Sequence, residues 1–515
     1  MTTRRTWTCL LSVLGVLGVL LPSAHVQAQT AQTAQAGASG RSRIEYRLDS
    51  RVRWSDQLGG GAVSSASGGA QVELSPGFLW SSTRPGLRGS VDYGLTLQSR
   101  TAGNEPQQLR HALNSALQLE LVDQHAYLDL AGTVSRQPVS ALGTLSGSAV
   151  SDVNHAQTSS WRLSPVVRGL LPHRISLEAR HAWNLQQSDA GNRPDSLGQT
   201  SSLALSQPLA SGASWSLTGA EQVSSYQGAA IKARLTSLQG QMNWPWGAQW
   251  AGNLRVGSET SNQQRAGQGA QATYGAGLVW RPSERTRFSG NVVERFFGRS
   301  HDIAFSHRMA RSAFTLTDVR DLSLGTGTET AVLGTLRELF DLQLTPLEAD
   351  PIARARLVDA ELRRRGLSGS TPVAVSYLTS RPTLRRSQTA SFLWTTTRQT
   401  YAVNWTQSDT RTLSGDARQV GDDLDQGGEI QTTGWQLTFS HRLTPVATLS
   451  AGWSAQSSEA PRTGVRSATH TGQLGLSTRF GLRTSGGLQW RQSRSQTLNS
   501  ATHENELIGN LLHQF

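Results

Sequence analysis

The sequence predicts an all-β protein, a single-chain transmembrane antiparallel β-barrel of about 22 strands, within a range of about 18 to 24. Three observations predict it: an apolar leader at the N-terminus, a long series of segments in which apolar and polar residues alternate, and a final segment that ends on Phe515. Hydrophobic residues make up 37% of the chain, and the mean hydropathy is −0.37. These values exclude a bundle of membrane-spanning helices.

The N-terminus has the three parts of a secretory signal peptide. Arg4 and Arg5 supply the positive charge, an apolar run follows, and the small-x-small pattern of a cleavage site ends at Ala28. We therefore expect Sec export, removal of residues 1–28, and a disordered polar tail over 29–42, before a barrel domain over 43–515. The alternative is an uncleaved anchor, but the apolar run of about 13 residues is shorter than the ~20 that a spanning helix needs.

The cysteine and charge content narrows the class of protein further. The single cysteine, Cys9, lies in the leader, so the mature chain is expected to have neither a disulfide nor a thiolate metal site. The formal charge of +12 falls to +10 when Arg4 and Arg5 leave with the leader. Because the remaining arginines are spread among the alternating segments and do not form one stripe, we expect no nucleic-acid partner.

The alternation itself begins at Ile44. Over residues 44–54, the even positions include Tyr46, Val52 and Trp54, whereas every odd position carries a charged side chain. A period of two residues is typical of a strand with one apolar and one polar face. The same period recurs along the chain in segments that include 72–80, 87–97, 175–185, 288–296, 435–439 and 474–480.

Short links and long polar links alternate between these segments. A short link falls at 84–86, and long links are predicted at 411–429 and 456–467. Outer-membrane barrels have this arrangement, with tight periplasmic turns and longer outside loops. The strand count stays ambiguous around 300–320 and 372–400.

Residues 336–366 break the alternation and predict a helical insert. Thr345-Pro346-Leu347-Glu348 resembles a capping box with proline at the first helical position, and Gly366 is suited to end a helix. The order of short and long links places this insert in an outside loop. Two interpretations remain open, namely a helical excursion on the surface, or a segment that folds back into the lumen as a plug or gate.

The last segment has the features of a closing strand. Leu507, Gly509, Leu511, His513 and Phe515 share one face. A terminal aromatic residue with apolar residues at alternate positions resembles the signal that the barrel-assembly machinery reads, and we expect that machinery as a partner. His513 departs from the pattern, which more often has an aromatic or apolar residue there.

Tryptophan is abundant, with 15 residues in the chain. Trp54, Trp80, Trp183, Trp280 and Trp435 stand near the ends of alternating segments. An indole ring prefers the level of the lipid headgroups, so these residues predict aromatic girdles in contact with outer-membrane lipid and lipopolysaccharide. Core packing and sugar stacking are the competing interpretations.

The polar faces of the segments are expected to line the lumen. The residues predicted there are Arg47, Arg51, Arg53, Arg88, Arg110, Arg180, Arg234, Arg255, Arg295, Arg308, Glu45, Asp49, Glu120 and Glu178. One interpretation is a structural ladder in which charges pair across strands at little net energy. The other is a basic passage that selects anionic or sugar solutes.

Catalytic motifs are not found in the sequence. It contains no HExxH, no phosphate-binding GxxxxGK and no GxSxG nucleophile elbow. We therefore expect no catalytic residues, no metal and no cofactor, although a hydrolase site built from scattered loop residues remains a lesser alternative. Too few residues separate Ala28 from Ile44 for the N-terminal plug domain of a siderophore transporter.

Four stretches resemble an outer-membrane family associated with PEP-CTERM/exosortase systems. They are WRPSERTRFSGNVVERFFGRSHDIAFSHRMARSAFTLTDVRD (280–321), LRELFDLQLTPLEADPIARARLVDAELRRRGL (336–367), YLTSRPTLRRSQTASFLWTTTRQTYAVNWTQSDTR (377–411) and FSHRLTPVATLSAGW (439–453). The resemblance implies a porin-like barrel in the outer membrane of a Gram-negative bacterium that makes exopolysaccharide. It carries no established site residues to this chain.

These observations support two main functional hypotheses. The first is a pore or channel for envelope or polysaccharide-related solutes, working with exopolysaccharide or components of its export. The second is a non-conducting structural barrel that binds matrix through its outside loops. An outer-membrane hydrolase is the lesser alternative.

Overall fold

The structure is a computed structural model, and it describes most of the region that the alternation covers. The described residues are 42–56, 68–100, 108–143, 154–189, 195–226, 232–263, 269–324, 381–413, 423–426, 428–498 and 501–515, with Phe340, Asp341, Leu344, Arg354, Leu357 and Val358. The predicted signal peptide and the polar tail up to residue 41 lie outside the described residues.

Within the described residues, twenty-two strands form one sheet. In chain order they are β1 (Ser42–Ser55), β2 (Gly69–Arg84), β3 (Leu87–Arg100), β4 (Gln108–Val122), β5 (Ala126–Pro138), β6 (His155–Leu171), β7 (Ile175–Ser188), β8 (Ser196–Pro208), β9 (Ser214–Tyr226), β10 (Ala233–Trp246), β11 (Trp250–Ser261), β12 (Gln271–Ser283), β13 (Thr286–Arg295), β14 (Gly298–Arg308), β15 (Ser312–Ser323), β16 (Thr383–Thr395), β17 (Gln399–Thr412), β18 (Glu429–Arg442), β19 (Ala447–Ala460), β20 (Val465–Arg479), β21 (Thr484–Gln496) and β22 (Ala501–Gln514).

Each strand pairs antiparallel with its neighbours in sequence, and β22 pairs antiparallel with β1. Val52 of β1, for example, lies opposite Val72 of β2 and opposite Gly509 of β22. The sheet therefore closes on itself and has no free edge, so its backbone donors and acceptors find partners within the sheet. The predicted 22-stranded antiparallel barrel is confirmed.

The two ends of the barrel differ in their connections. The link from each even-numbered strand to the next is short, as at Pro85-Gly86, where Gly86 takes a positive φ of 81° that suits glycine. We call this rim, which also holds the start of β1 and the end of β22, the short-turn end. The links from odd-numbered strands lie at the opposite rim, the long-loop end, and the longest joins β15 to β16.

The two faces of the sheet also differ. Residues on one face are largely apolar and exposed, as Tyr46, Val52 and Trp54 are in β1. The alternate positions are polar, and several of them are buried, among them Arg53 and Gln71. Contacts across the barrel are made from the polar face, so it is the inward face, and the apolar face points outward.

One link that the sequence predicts as long is short. β19 continues to Ala460 and β20 begins at Val465, so the predicted long link over 456–467 is wrong. The polar residues there extend both strands beyond the apolar region, where alternation no longer marks them as strand. The ambiguous segments resolve into the two hairpins β14–β15 and β16–β17.

Candidate functional site

The helical insert contacts the inward wall of the barrel. Phe340, Asp341, Leu344, Arg354, Leu357 and Val358 all have helical backbone, and within the described residues no helix is long and apolar enough to cross a membrane. The insert packs on a patch of three wall residues that we call the docking patch: Ala313 of β15, Leu393 of β16 and Ala402 of β17. Phe340 and Val358 are almost wholly buried there, and Leu344 packs against the same cluster.

The docking patch lies at the short-turn end of the lumen. Ala313 pairs with Leu393, and Leu393 pairs with Ala402, so the three side chains share one face. Each lies within four positions of the short-turn end of its strand. The insert, however, connects Leu324 to Thr383 at the opposite rim. Phe340, Leu344 and Val358 therefore lie inside the barrel, which agrees with the lumen interpretation and not with a surface excursion.

The geometry of the connection allows this reach. β15 has 12 residues and spans about 40 Å at ~3.4 Å per residue. Leu324 and Phe340 are 16 positions apart in sequence, and an extended chain covers about 3.3 Å per residue. The connection is thus long enough to return along the whole lumen. Asp341 and Arg354 form an ion pair at 2.9 Å, which joins the described residues at 340–344 to those at 354–358.

A second inward contact crosses the mouth at the long-loop end. The Asp423 carboxylate accepts hydrogen bonds at 2.6 Å from the Ser140 hydroxyl and at 2.6 Å from the Ala141 backbone N–H. Ser140 and Ala141 belong to the β5–β6 link and Asp423 to the β17–β18 link, on far sides of the closed sheet. Ser467 of β20 donates to the Gly143 carbonyl at 2.9 Å. We call this set of contacts the mouth tie.

Asp423→Ala is expected to release the mouth tie. The substitution removes the carboxylate oxygens that accept hydrogen bonds from the Ser140 hydroxyl and the Ala141 backbone N–H. Loss of such bonds costs about 1–3 kcal/mol locally. Hydrogen exchange of the backbone amides of residues 139–143 should accelerate by roughly tenfold or more, whereas the amides of β5 keep their protection. Unchanged exchange at Ala141 would show that Asp423 does not hold the link.

Charged residues on the inward face of β1 form cross-strand pairs. Arg47 binds Asp92 of β3 through two hydrogen bonds of 3.1 and 2.5 Å. Arg51 lies 3.4 Å from the Glu73 carboxylate of β2. Each of these arginines has a carboxylate one or two strands away, which is the arrangement that the structural-ladder interpretation predicts.

The seam between β22 and β1 holds a buried charge cluster. The Glu506 carboxylate of β22 is 1% exposed and contacts Arg491 of β21 on one side. On the other side it lies 3.6 Å from the buried Arg53 guanidinium of β1. We call these three residues the seam cluster; they connect three consecutive strands across the point of closure.

Two further clusters lie on the inward face away from the seam. Arg180 of β7 lies 3.0 Å from Asp129 of β5. Arg295 of β13 binds Glu259 of β11 at 2.9 Å and Asp321 of β15 at 2.5 Å. In each of these two clusters an arginine reaches a carboxylate two strands away, so its charge is paired.

The strand registers place the predicted lumen residues on a definite face. The inward face carries Arg47, Arg51, Arg53, Arg88, Arg110, Arg180, Arg255, Arg295, Arg308, Glu45, Asp49, Glu120 and Glu178. Arg234 lies instead on the outward face of β10, in phase with the exposed Leu238, and pairs with Glu221 of β9 at 3.3 Å. Its prediction followed from charge, whereas the alternation within β10 assigns it to the apolar phase.

An outward charge network near the long-loop end was missed from the sequence. Asp318 of β15 lies 3.0 Å from the His301 ring and 2.6 Å from Arg386 of β16. Arg411 of β17 pairs with Glu429 of β18 at 3.1 Å. A sequence signal could have identified this network. Near the long-loop end of each strand, charged residues replace apolar ones at the outward-facing positions.

The predicted girdle tryptophans all lie on the outward face. Trp54, Trp183 and Trp435 are exposed. Trp280 stacks on Trp250 with ring centroids 5.3 Å apart, and the Trp80 indole donates to the Ser42 hydroxyl at 2.9 Å. Trp80 and Trp280 stand near the short-turn end, whereas Trp54 stands near the long-loop end.

The terminal strand presents the expected face outward. Leu507, Leu511 and Phe515 are exposed, in phase with Gly509 and His513. The Phe515 backbone N–H donates to the Tyr46 carbonyl at 3.0 Å, which extends the β22–β1 pairing to the last residue. The His513 ring accepts or donates a hydrogen bond with the Thr484 hydroxyl at 2.8 Å and packs edge-on against the Phe515 ring. Whether the assembly machinery reads this face stays a prediction.

Within the described part of the chain, no group of three His, Cys, Asp or Glu side chains is placed to hold a metal ion.

Neither a protein-family model nor a curated protein matches the chain significantly. Solved structures do match. The ferric enterobactin receptor of Pseudomonas aeruginosa, in complex with enterobactin, is 11% identical with a TM-score of 0.48, over 94% of this chain and 82% of that chain.

Two other solved structures show the same kind of likeness. The FrpB iron transporter of Neisseria meningitidis is 10% identical with a TM-score of 0.47, over 92% of this chain and 82% of that chain. OccK11 of Pseudomonas aeruginosa is 13% identical with a TM-score of 0.33, over 92% of this chain and 96% of that chain. At such identities the likeness concerns the barrel fold alone.

Proposed function

We propose that this chain is an outer-membrane channel whose lumen is occluded by its own helical insert. The closed sheet with an exposed apolar outward face supports the membrane location, because a closed barrel is one of the two structures whose backbone is fully paired in lipid. A signal peptide cleaved near Ala28 and assembly through the terminal face of Phe515 belong to the same proposal.

The docked insert is the observation that carries the channel proposal. A barrel of 22 strands encloses more space than the side chains of its own wall fill. In this barrel, the inward face is polar, and the insert packs at the short-turn end through Phe340 and Val358. An apolar contact between a long connection and a polar-walled lumen is suited to a gate. When that contact breaks, the insert can leave the lumen while the barrel wall stays intact.

The solutes that we propose are envelope or polysaccharide-related. The resemblance to the PEP-CTERM-associated family supports an exopolysaccharide context, with exopolysaccharide or its export components as partners. The inward arginines support anionic or hydroxyl-rich solutes, because guanidinium groups donate several hydrogen bonds in a fixed geometry. Lipopolysaccharide and outer-membrane lipid are the proposed contacts of the outward face.

A non-conducting structural barrel is the second candidate. The mouth tie favours it, because Asp423 and Ser140 fasten two links from opposite walls across the long-loop end. In that case the docked insert would seal the barrel permanently, and binding to matrix would occur through the links at the long-loop end.

Liposome swelling separates the two candidates. The full chain and a variant lacking residues 336–366 are reconstituted, and swelling is followed in neutral sugars and in sugar acids of equal size. A channel gated by the insert predicts slow swelling for the full chain and at least tenfold faster swelling for the deletion variant, with sugar acids entering faster than neutral sugars. If the correctly folded deletion variant is as tight as empty liposomes, the channel proposal is wrong and the structural barrel is supported.

A further inference from the structure

Exposed arginines dominate one sector of the short-turn end. We call the arginine rim the four turn residues Arg285, Arg311, Arg398 and Arg483, on the turns that follow β12, β14, β16 and β20. Within the described residues, none of these guanidinium groups contacts a carboxylate. Glu284 is the single acidic residue among the described positions of these turns. The rim therefore carries a strong positive charge that the protein itself does not neutralise.

The opposite ends of the same strands differ. At the long-loop end of β15–β18, Arg386 and Arg411 are paired with Asp318, Asp409 and Glu429. At the long-loop end of β15–β18 the arginines are thus paired with carboxylates, whereas those of the arginine rim are not. A positive surface of this kind attracts anions and holds them more weakly as salt concentration rises.

An aromatic belt lies directly beside the arginine rim on the outward face. Trp394 stacks on Tyr401 at 5.2 Å, and Tyr401 packs against Phe439 at 4.9 Å. Phe305 and Phe314 form a further pair at 6.0 Å. Each of these rings lies within about four positions of a turn at the short-turn end. Aromatic side chains in this position mark the boundary between the apolar part of a membrane and its headgroups.

The turns themselves expose apolar side chains between the arginines. Phe480 is 68% exposed and Leu482 is 106% exposed, and Arg479 and Arg483 flank them in sequence. Leu443 and Val446 are exposed on the β18–β19 turn, which is the neighbouring turn of the rim. Apolar side chains next to arginines suit an interface, where the apolar part enters the lipid and the guanidinium stays at the phosphate level.

From these observations we propose that the arginine rim binds the phosphate groups of anionic phospholipids in the leaflet that faces the short-turn end. The inference rests on the proposed membrane location and goes beyond it by naming the lipid class and the residues. A soluble polyanion would also be attracted by the charge, but it would not account for the aromatic belt and the exposed apolar turns at the same rim.

The test measures which lipids the folded protein retains. The full chain is purified from detergent containing equal amounts of phosphatidylglycerol and phosphatidylcholine, and the bound lipids are counted by native mass spectrometry. The rim variant carries Arg285→Gln, Arg311→Gln, Arg398→Gln and Arg483→Gln. The matched control removes four exposed arginines near the long-loop end through Arg299→Gln, Arg462→Gln, Arg466→Gln and Arg494→Gln.

We expect the wild-type protein and the control to retain phosphatidylglycerol preferentially, and the rim variant to lose about threefold or more of that preference. High salt should reduce the preference of the wild type in the same direction. Equal retention of the two lipids by the wild type, or an unchanged preference in the rim variant, would overturn the proposal.

Binding of a soluble polyanion is measured in parallel with polygalacturonate as the probe. If the rim variant loses polygalacturonate binding while its lipid preference is unchanged, the ligand of the rim is a soluble polyanion and the inference is overturned. Insertion of each protein into liposomes is a separate readout. If the wild type does not insert, the membrane location fails, and that result is distinct from insertion without lipid preference.

Discussion

Glu506→Gln is expected to weaken the folded barrel more than any other single change on its inward face. The substitution keeps the shape of the side chain but removes the carboxylate that Arg53 and Arg491 share at the seam. Arg491 would then lose its buried carboxylate partner and Arg53 the nearer of its two, Glu73 being the other, and breaking a buried pair of this kind costs about 3–5 kcal/mol. The urea midpoint of unfolding in detergent should fall accordingly, and a larger share of the protein should fail to fold.

The matched control for this prediction is Glu45→Gln on β1. Glu45 also pairs with an arginine, but its partner Arg43 is exposed and both lie at the end of the strand. An exposed pair of this kind contributes about 0–1 kcal/mol, so the urea midpoint should barely move. If the two variants have the same midpoint, the seam cluster does not stabilise closure in the way that its burial indicates.

Val358→Asp is expected to release the insert from the lumen wall. Val358 is 0% exposed against the docking patch, and the adjacent Leu357 is 44% exposed on the same helical segment. A carboxylate at position 358 would be buried among apolar groups without a partner, and undocking of the insert would relieve that cost. Leu357→Asp adds the same charge at an exposed position and should leave the insert docked.

Limited proteolysis reports the docking state. Residues 336–366 should be cleaved at least tenfold faster in Val358→Asp than in the wild type, whereas Leu357→Asp should be cleaved at the wild-type rate. The barrel strands should stay intact in all three proteins, because the substitution touches the insert and not the wall. Equal cleavage of the two variants would show that the docking patch does not hold the insert.

The strands were predictable because their signal is local. Alternation on β1 from Ile44 to Trp54 needs no knowledge of the rest of the chain, and neither does the phase that ends at Phe515. Arg234 shows the limit of that reasoning, because a charged residue in the apolar phase can still point outward if the strand has passed the apolar region. For the same reason, the alternation does not predict the extension of β19 to Ala460, which lies beyond the apolar region.

The candidate site was predictable only in part, because its contacts join distant segments. The sequence predicts a helical insert at about 336–366 but leaves open whether it lies outside or inside. Its position depends on Ala313, Leu393 and Ala402, which are small or apolar residues in inward phases that are otherwise mostly polar. A departure from the polar inward phase near a strand end is the signal that could have located the docking patch. The mouth tie through Asp423 has no comparable signal.

Single-channel recording of Val358→Asp beside Leu357→Asp in planar bilayers tests most directly whether the insert gates the lumen. If the insert gates the lumen, Val358→Asp should show large, long-lived conductance steps, whereas Leu357→Asp and the wild type should stay closed for most of the record. If conductance is the same in all three proteins, whether absent or continuous, gating by the insert is contradicted. The docked insert would then have no control over the lumen.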